Sequence, residues 1–267
     1  EETTPARLEQ LAATYSTVHV LNTFGVPVLT HYDTRFMDLK GYLDLILRRN
    51  LAGPAERSVR DGEVTGFPYR TYQLAARRDF TLPGPDLSAN VSFGDRVALT
   101  ALNVGESPMS GEPLVIEQPA DQPVWAILRW KALQPIAEGT KSSLVLRSAD
   151  SGSAGIWAGQ VDQPLISDSF PRQLVWQSGE AASSYALFYP VAGAPPGRDQ
   201  LELTVYDEAS GRTYPAISGD GLPAAQYVVA ELHLSPPILP ASETQPAVQR
   251  NELLFAPALR LVGIDPA

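Results

Sequence analysis

Three histidines, His19, His31 and His233, are the first residues to weigh for catalysis, because imidazole titrates near neutral pH. They lie much further apart than the ligands of a local metal site. His31-Tyr32-Asp33, with Arg35 close by, could form a small polar cluster, which alone is thin support for acid–base work. No serine stands in a Gly-x-Ser-x-Gly elbow, and neither a phosphate loop nor a Gly-x-Gly-x-x-Gly run occurs. The absence of cysteine removes disulfides, thiolate catalysis and cysteine-based zinc sites. Carboxylate pairs are the remaining route, as in glycoside hydrolysis. Asp207-Glu208 is such a pair, yet within Tyr206-Asp207-Glu208-Ala209-Ser210-Gly211-Arg212 it reads as a hairpin turn. Asp and Ser bond to nearby backbone there, and Gly211 supplies positive φ. Asp150, Asp162 and Asp168 offer oxygen ligands for calcium without the spacing of a calcium loop. The expectation is therefore no catalytic residue, no cofactor and no metal.

Aromatic residues are better candidates for function. Trp125, Trp130, Trp157 and Trp176 all fall in the later, strand-rich part of the chain, with Tyr185, Tyr189, Tyr206 and Tyr227. Aromatic faces on a β-sandwich can stack on sugar rings, so Trp125, Trp157 and Trp176 are candidates for glycan stacking. Core packing is the default for each. Trp125 and Trp130 are an odd number of residues apart and so face opposite sides of an unbroken strand. One is expected in the core and the other exposed or at a sheet edge.

The elements that would position these residues fall into two textures. Residues 1–82 read as a small α/β unit. Thr4-Pro5 opens a helix, 17–21 is a strand, and Leu39, Leu43, Ile46 and Leu47 mark a second helix. Asp61-Gly62 is a turn, and 63–74 is a strand interrupted at Gly66 and Pro68. From Pro83 onward helical periodicity gives way to alternation. Strands are expected near 91–101, 114–116, 124–132, 143–148, 156–161, 184–189, 200–206 and 226–234, separated by Gly- and Pro-rich turns. This predicts a mainly β chain, an antiparallel, jelly-roll-like β-sandwich over 83–235 behind the α/β unit. A proline-rich linker over 236–250 follows, then a C-terminal strand within 251–267. Phe93-Gly-Asp-Arg-Val-Ala-Leu99 resembles Phe255-Ala-Pro-Ala-Leu-Arg-Leu261. The strand either begins a second β repeat or is an edge strand of the same sandwich. Its apolar residues should close the sandwich or dock on the α/β unit.

A formal charge of −10 repels phosphate backbones and anionic headgroups, and nucleic acid is not an expected partner. No apolar run approaches the roughly 20 residues of a membrane span, so any anchor is expected outside this chain.

The run Trp176-Gln-Ser-Gly-Glu180, Tyr185-Ala-Leu-Phe-Tyr-Pro190, Pro195-Pro196-Gly197, Leu201-Glu-Leu-Thr-Val-Tyr-Asp207, Ser210-Gly211-Arg212 has a distinctive order. It resembles the soluble β domain that follows the membrane spans of bacterial family 39-type glycosyltransferase-like proteins of the Chloroflexi type. Ala126-Ile-Leu-Arg-Trp130-Lys-Ala132 and Gln160-Val-Asp162-Gln-Pro164 are similar to two further strands of that domain. Segments 8–21 and 42–74 resemble the α/β segment before it. Departures are 143–147, where the family has a tyrosine-rich strand, and the long insert 103–122. The resemblance implies an extracytoplasmic accessory domain without catalytic residues, since catalysis in that family belongs to the membrane domain. Its implied partners are a glycan or acceptor, or the membrane domain of the parent chain. A free carbohydrate-binding sandwich and a jelly-roll hydrolase are the alternatives.

Overall fold

The computed structural model describes residues 4–21, 40–53, 58–64, 67–82, 86–105, 114–120, 122–136, 139–149, 157–169, 175–190, 196–219, 221–236, 248–256 and 259–264. The N-terminal unit comprises α1 (Thr4–Ala12), β1 (Thr17–Leu21), α2 (Tyr42–Arg48), β2 (Val59–Val64) and β3 (Phe67–Gln73). Its strands form an antiparallel sheet in the order β1-β3-β2. Asp61-Gly62, expected as a turn, lies inside β2 instead, with Gly62 opposite Tyr69. A Cβ at Gly62 would stand 2.5 Å from the Tyr69 ring, so the glycine serves aromatic packing rather than a reversal. The expected single strand over 63–74 is correspondingly the end of one hairpin arm and the whole of the other.

The sandwich follows. Its strands are β4 (Leu87–Phe93), β5 (Val97–Val104), β6 (Val115–Pro119), β7 (Val124–Ala132), β8 (Thr140–Ser148), β9 (Trp157–Pro164), β10 (Ala181–Phe188) and β11 (Gly197–Asp207). The short β12 (Thr213–Tyr214), β13 (Ala216–Ile217) and β14 (Pro223–Ala224) lead to β15 (Tyr227–Ser235). The first sheet runs β10-β7-β5-β4-β13-β14 and the second β6-β15-β11-β8-β9, with β12 paired to β11. Ladders are antiparallel apart from the parallel β15–β6 pair. Alternation explains the burial: Leu201, Leu203 and Val205 point inward and are fully buried, meeting Phe93, Leu99, Trp130, Leu146 and Leu232. Helices among the described residues are confined to the N-terminal unit.

A second core lies on the outer face of the first sheet. Trp125 and Ile127 of β7 and Tyr185 of β10 pack there with Leu8, Tyr42, Tyr72, Leu74 and Phe80. Leu45, Ile46 and Leu47 point to different sides of α2, yet all three are completely buried. A wide apolar face must be covered, and the sheets on which α2 packs cover it, while Asp44 and Arg48 take the remaining side and pair with each other. Trp125 and Trp130 do face opposite sides of β7, but neither is exposed, because the N-terminal unit covers the side that sequence parity left open.

After the sandwich come β16 (Val248–Ala256) and β17 (Leu259–Ile264), an antiparallel hairpin. The single C-terminal strand of the sequence reading is thus two strands, and the first begins inside the expected linker. Among the described residues neither strand joins a ladder of the sandwich or of the N-terminal sheet.

Candidate binding face

With the first sheet's outer face covered, the outer face of the second sheet is the open side of the sandwich among the described residues. The register sets its rows. Tyr206 of β11 stands opposite Lys141 of β8, which faces Pro164 of β9. The next row is Thr204, Ser143 and Asp162, and the third is Glu202, Val145 and Gln160. All nine alternate with the inward set Leu201, Leu203, Val205, Leu144 and Leu146, so they share the outward side. Gln160 and Asp162 are exposed, while Tyr206, Thr204, Lys141 and Val145 are half-buried by one another.

Side-chain bonds organise the face. Gln160 Nε2 donates to Ser143 Oγ at 3.2 Å and to both Asp162 carboxylate oxygens at 3.0 Å. Arg147 Nε donates to Glu202 Oε2 at 2.9 Å, which pairs the one carboxylate buried in this surface. Lys141 Nζ is paired with Glu208 in the turn after β11, and that hydrogen bond raises the lysine above its ordinary range. Burial, and then the Asp162 charge, raise the Tyr206 phenol. At neutral pH the face therefore carries a neutral phenol, an ammonium, an amide and a carboxylate with acceptor capacity left over. Such a set can bond to vicinal hydroxyls while the Tyr206 ring supplies apolar contact.

The candidates from sequence fall elsewhere. Trp125 and Trp176 are each 2% exposed, so neither presents a ring to a ligand; the first sits in the second core and the second in the sandwich interior. Arg49 lies over the Trp125 ring, 5.5 Å from its centroid, occupying the position a sugar would need. Trp157 opens β9 opposite Arg147, and its side chain lies outside what is described. His19 Nδ1 is 2.9 Å from Thr71 Oγ1 across β1–β3, and His233 stands 4.0 Å from Glu117 on β6. His31, Tyr32, Asp33, Arg35 and Asp150 lie outside the described residues. Asp168 is paired with Lys40 and accepts from the Ser183 amide at 3.1 Å. Asp207 accepts from Ser210 N at 2.8 Å, and Gly211, with φ of 66°, closes the turn on the Asp207 carbonyl. Among the described residues no group of three or more His, Asp or Glu is placed to hold a metal ion. No helix among them is long and apolar enough to cross a membrane. Sequence reading named Asp162 among possible oxygen ligands and Tyr206 among the aromatics, but did not join them to Gln160, Glu202 or Thr204. Their period-two spacing was legible, but only the pairing of β11 with β8 and β9 brings them together.

No protein-family model and no curated protein matches the chain. Among solved structures, it is similar to the C-terminal domain of wzt at 8% identity and a TM-score of 0.36, over 59% of this chain and 84% of that one. It is also similar to a Niemann-Pick type C2 protein from Japanese carpenter ant: 8% identity, TM-score 0.27, 58% of this chain and 98% of that one. A putative ApaA protein from Bordetella pertussis gives 14%, 0.23, 58% and 100%. Likenesses this slight carry no inference about ligand, partner or ancestry.

Proposed function

We propose that the chain is a non-catalytic, extracytoplasmic accessory domain of a membrane glycosyltransferase-like protein, and that its open sheet holds a glycan or the glycan acceptor. The observation that supports this most is the face of Tyr206, Lys141, Thr204, Asp162 and Gln160, a ring set among hydroxyl-matching polar groups on the uncovered side of a sandwich. The carboxylates of that face each have a neighbour: Gln160 for Asp162, Arg147 for Glu202, Lys141 for Glu208. Paired carboxylates suit recognition better than the free acid and base that hydrolysis requires.

The test is a glycan array followed by calorimetry on the best ligand. Tyr206→Ala and Asp162→Ala should each weaken binding about 10-fold or more, because a hydrogen bond to a charged group contributes roughly 1.5–3 kcal/mol. Failure of every envelope glycan to bind, or binding unchanged in both variants, would end this reading.

A further inference from the structure

We infer a second binding site, for an oxyanion, at the turn end of the sandwich, built from Arg96, Arg212 and Tyr214. The guanidinium carbon of Arg96 lies 5.8 Å from the centroid of the Tyr214 ring, and that of Arg212 lies 6.0 Å from the same centroid. Both arginines are exposed, and among the described residues neither makes an ion pair with a carboxylate. In a chain of net charge −10, two exposed cations are thus gathered on one ring.

The geometry is held from below. Arg96 N donates to the Phe93 carbonyl at 3.0 Å, and its own carbonyl accepts from Leu133 N at 2.8 Å. Arg212 is fixed by Asp207 N donating to its carbonyl at 2.9 Å and by its own amide donating to Ser210 Oγ at 3.3 Å. The Tyr214 ring is nearly buried and is pressed against Gly94, whose φ is 52°. A Cβ there would come within 2.9 Å of the ring, so only glycine lets the β4–β5 turn close over it. The nearby acid, Asp207, is held within its own turn by Ser210, which keeps that carboxylate below its usual range, with the Arg96 charge a lesser cause. The guanidiniums are thus left with their forked donors available, and such donors match carboxylate, phosphate or sulfate in two-point fashion. Anchored backbones on two different turns, β4–β5 and β11–β12, lower the ordering cost of capturing such a group. The site is separate from the glycan face and does not rest on that reading.

The experiment is a titration of the full chain, uniformly labelled with 15N, with inorganic phosphate, sulfate and glucuronate as three arms. The arginine Nε–H signals of Arg96 and Arg212 should shift with saturation. Arg96→Gln and Arg212→Gln should each abolish saturation, and Arg212→Lys should retain a weaker response. Glucuronate alone saturating points to a glycan carboxylate as the natural source; phosphate or sulfate saturating as well points to a general oxyanion. No saturation in any arm, or saturation unchanged in both Gln variants, overturns the inference. Either variant alone suffices for the test, since the two side chains are exposed and stand on different turns.

Discussion

Among single residues, the two buried tryptophans of the sandwich interior differ in one atom. Trp130 Nε1 donates to Ser184 Oγ at 2.8 Å, with both groups buried, and Phe93 lies 5.9 Å away. Trp176 Nε1 is buried with no hydrogen-bond partner among the described residues. An unpaired buried donor costs about 1–3 kcal/mol, so removing it recovers part of what a smaller ring loses. Trp130→Phe should therefore lower the urea midpoint distinctly more than Trp176→Phe, and Ser184→Ala should cost about 1–3 kcal/mol by orphaning the Trp130 indole. The opposite ranking of the two tryptophan variants would contradict this account. Acid stability can be argued at the same scale. The hydrogen bond from Arg70 holds the Asp61 carboxyl below its usual range, and Thr81 does the same for Asp79. A carboxylate depressed in the folded state stabilises the fold above its unfolded pKa, and that contribution disappears as pH falls through the folded value. The urea midpoint should thus be flat near neutrality and fall below about pH 4. In Asp61→Asn the fall should be shallower. Strand parity told from sequence that Trp125 and Trp130 oppose each other, but parity carries no information about what covers each face, and so it could not choose for Trp125 between core packing, which the structure shows, and an exposed stacking ring.

Strands whose two faces meet different surroundings were the most legible elements. β11 and β15 alternate because one face meets the core, and their positions followed from period two, whereas β7, with a core on each face, reads as a near-continuous apolar run. Hairpins were less legible. Asp61-Gly62 carries a strong turn signature, yet cross-strand packing of Tyr69 over Gly62 overrides it. The β16–β17 hairpin was read as one strand because Phe255-Ala-Pro-Ala-Leu259 lacks the Asn-Gly or Asp-Gly signal of a tight reversal. One junction between elements is a further test. Gly41 precedes α2 with φ of 77°, and a Cβ there would lie 2.3 Å from the Tyr185 carbonyl oxygen. At that point the chain runs along β10, the outer strand of the first sheet. Tyr185 N donates to the Lys40 carbonyl at 2.9 Å, and Gln163 Nε2 from β9 donates to the Tyr185 carbonyl. These contacts seal an edge that would otherwise be open to pairing with another chain. Gly41→Ala should destabilise by more than about 1 kcal/mol through left-handed strain and loss of this close approach. It should also raise the tendency to aggregate, seen as light scattering on mild heating. A variant as stable as the parent would show that the junction tolerates a side chain.

Across the whole molecule, sequence texture separates residues 1–82 from the rest, whereas packing joins them. The second core draws Leu45, Ile46, Leu47, Tyr72 and Phe80 from the N-terminal unit and Trp125, Ile127 and Tyr185 from the sandwich. Neither side could keep these residues out of water alone, and burying each large one is worth roughly 1.5–3 kcal/mol. Polar contacts cross the same boundary, with Lys40 on Asp168 and Arg49 over Trp125. Cooperative unfolding follows, and the placement of tryptophan makes it measurable. All four tryptophans belong to the sandwich region and none to residues 1–82. Emission therefore reports the sandwich, while the two helices among the described residues sit in the N-terminal unit and supply the helical signal in circular dichroism. If the two parts were independent, Ile46→Ala would melt the helices early and leave the emission transition where it was. With a shared core, the truncation leaves a cavity against the sheet that carries Trp125, at a cost of about 2–5 kcal/mol. Both signals should then move to lower urea together and stay coincident, since the sandwich cannot hold its covered face once α2 has left it. Separation of the two curves in the variant would mean that the N-terminal unit is a cover the sandwich can do without.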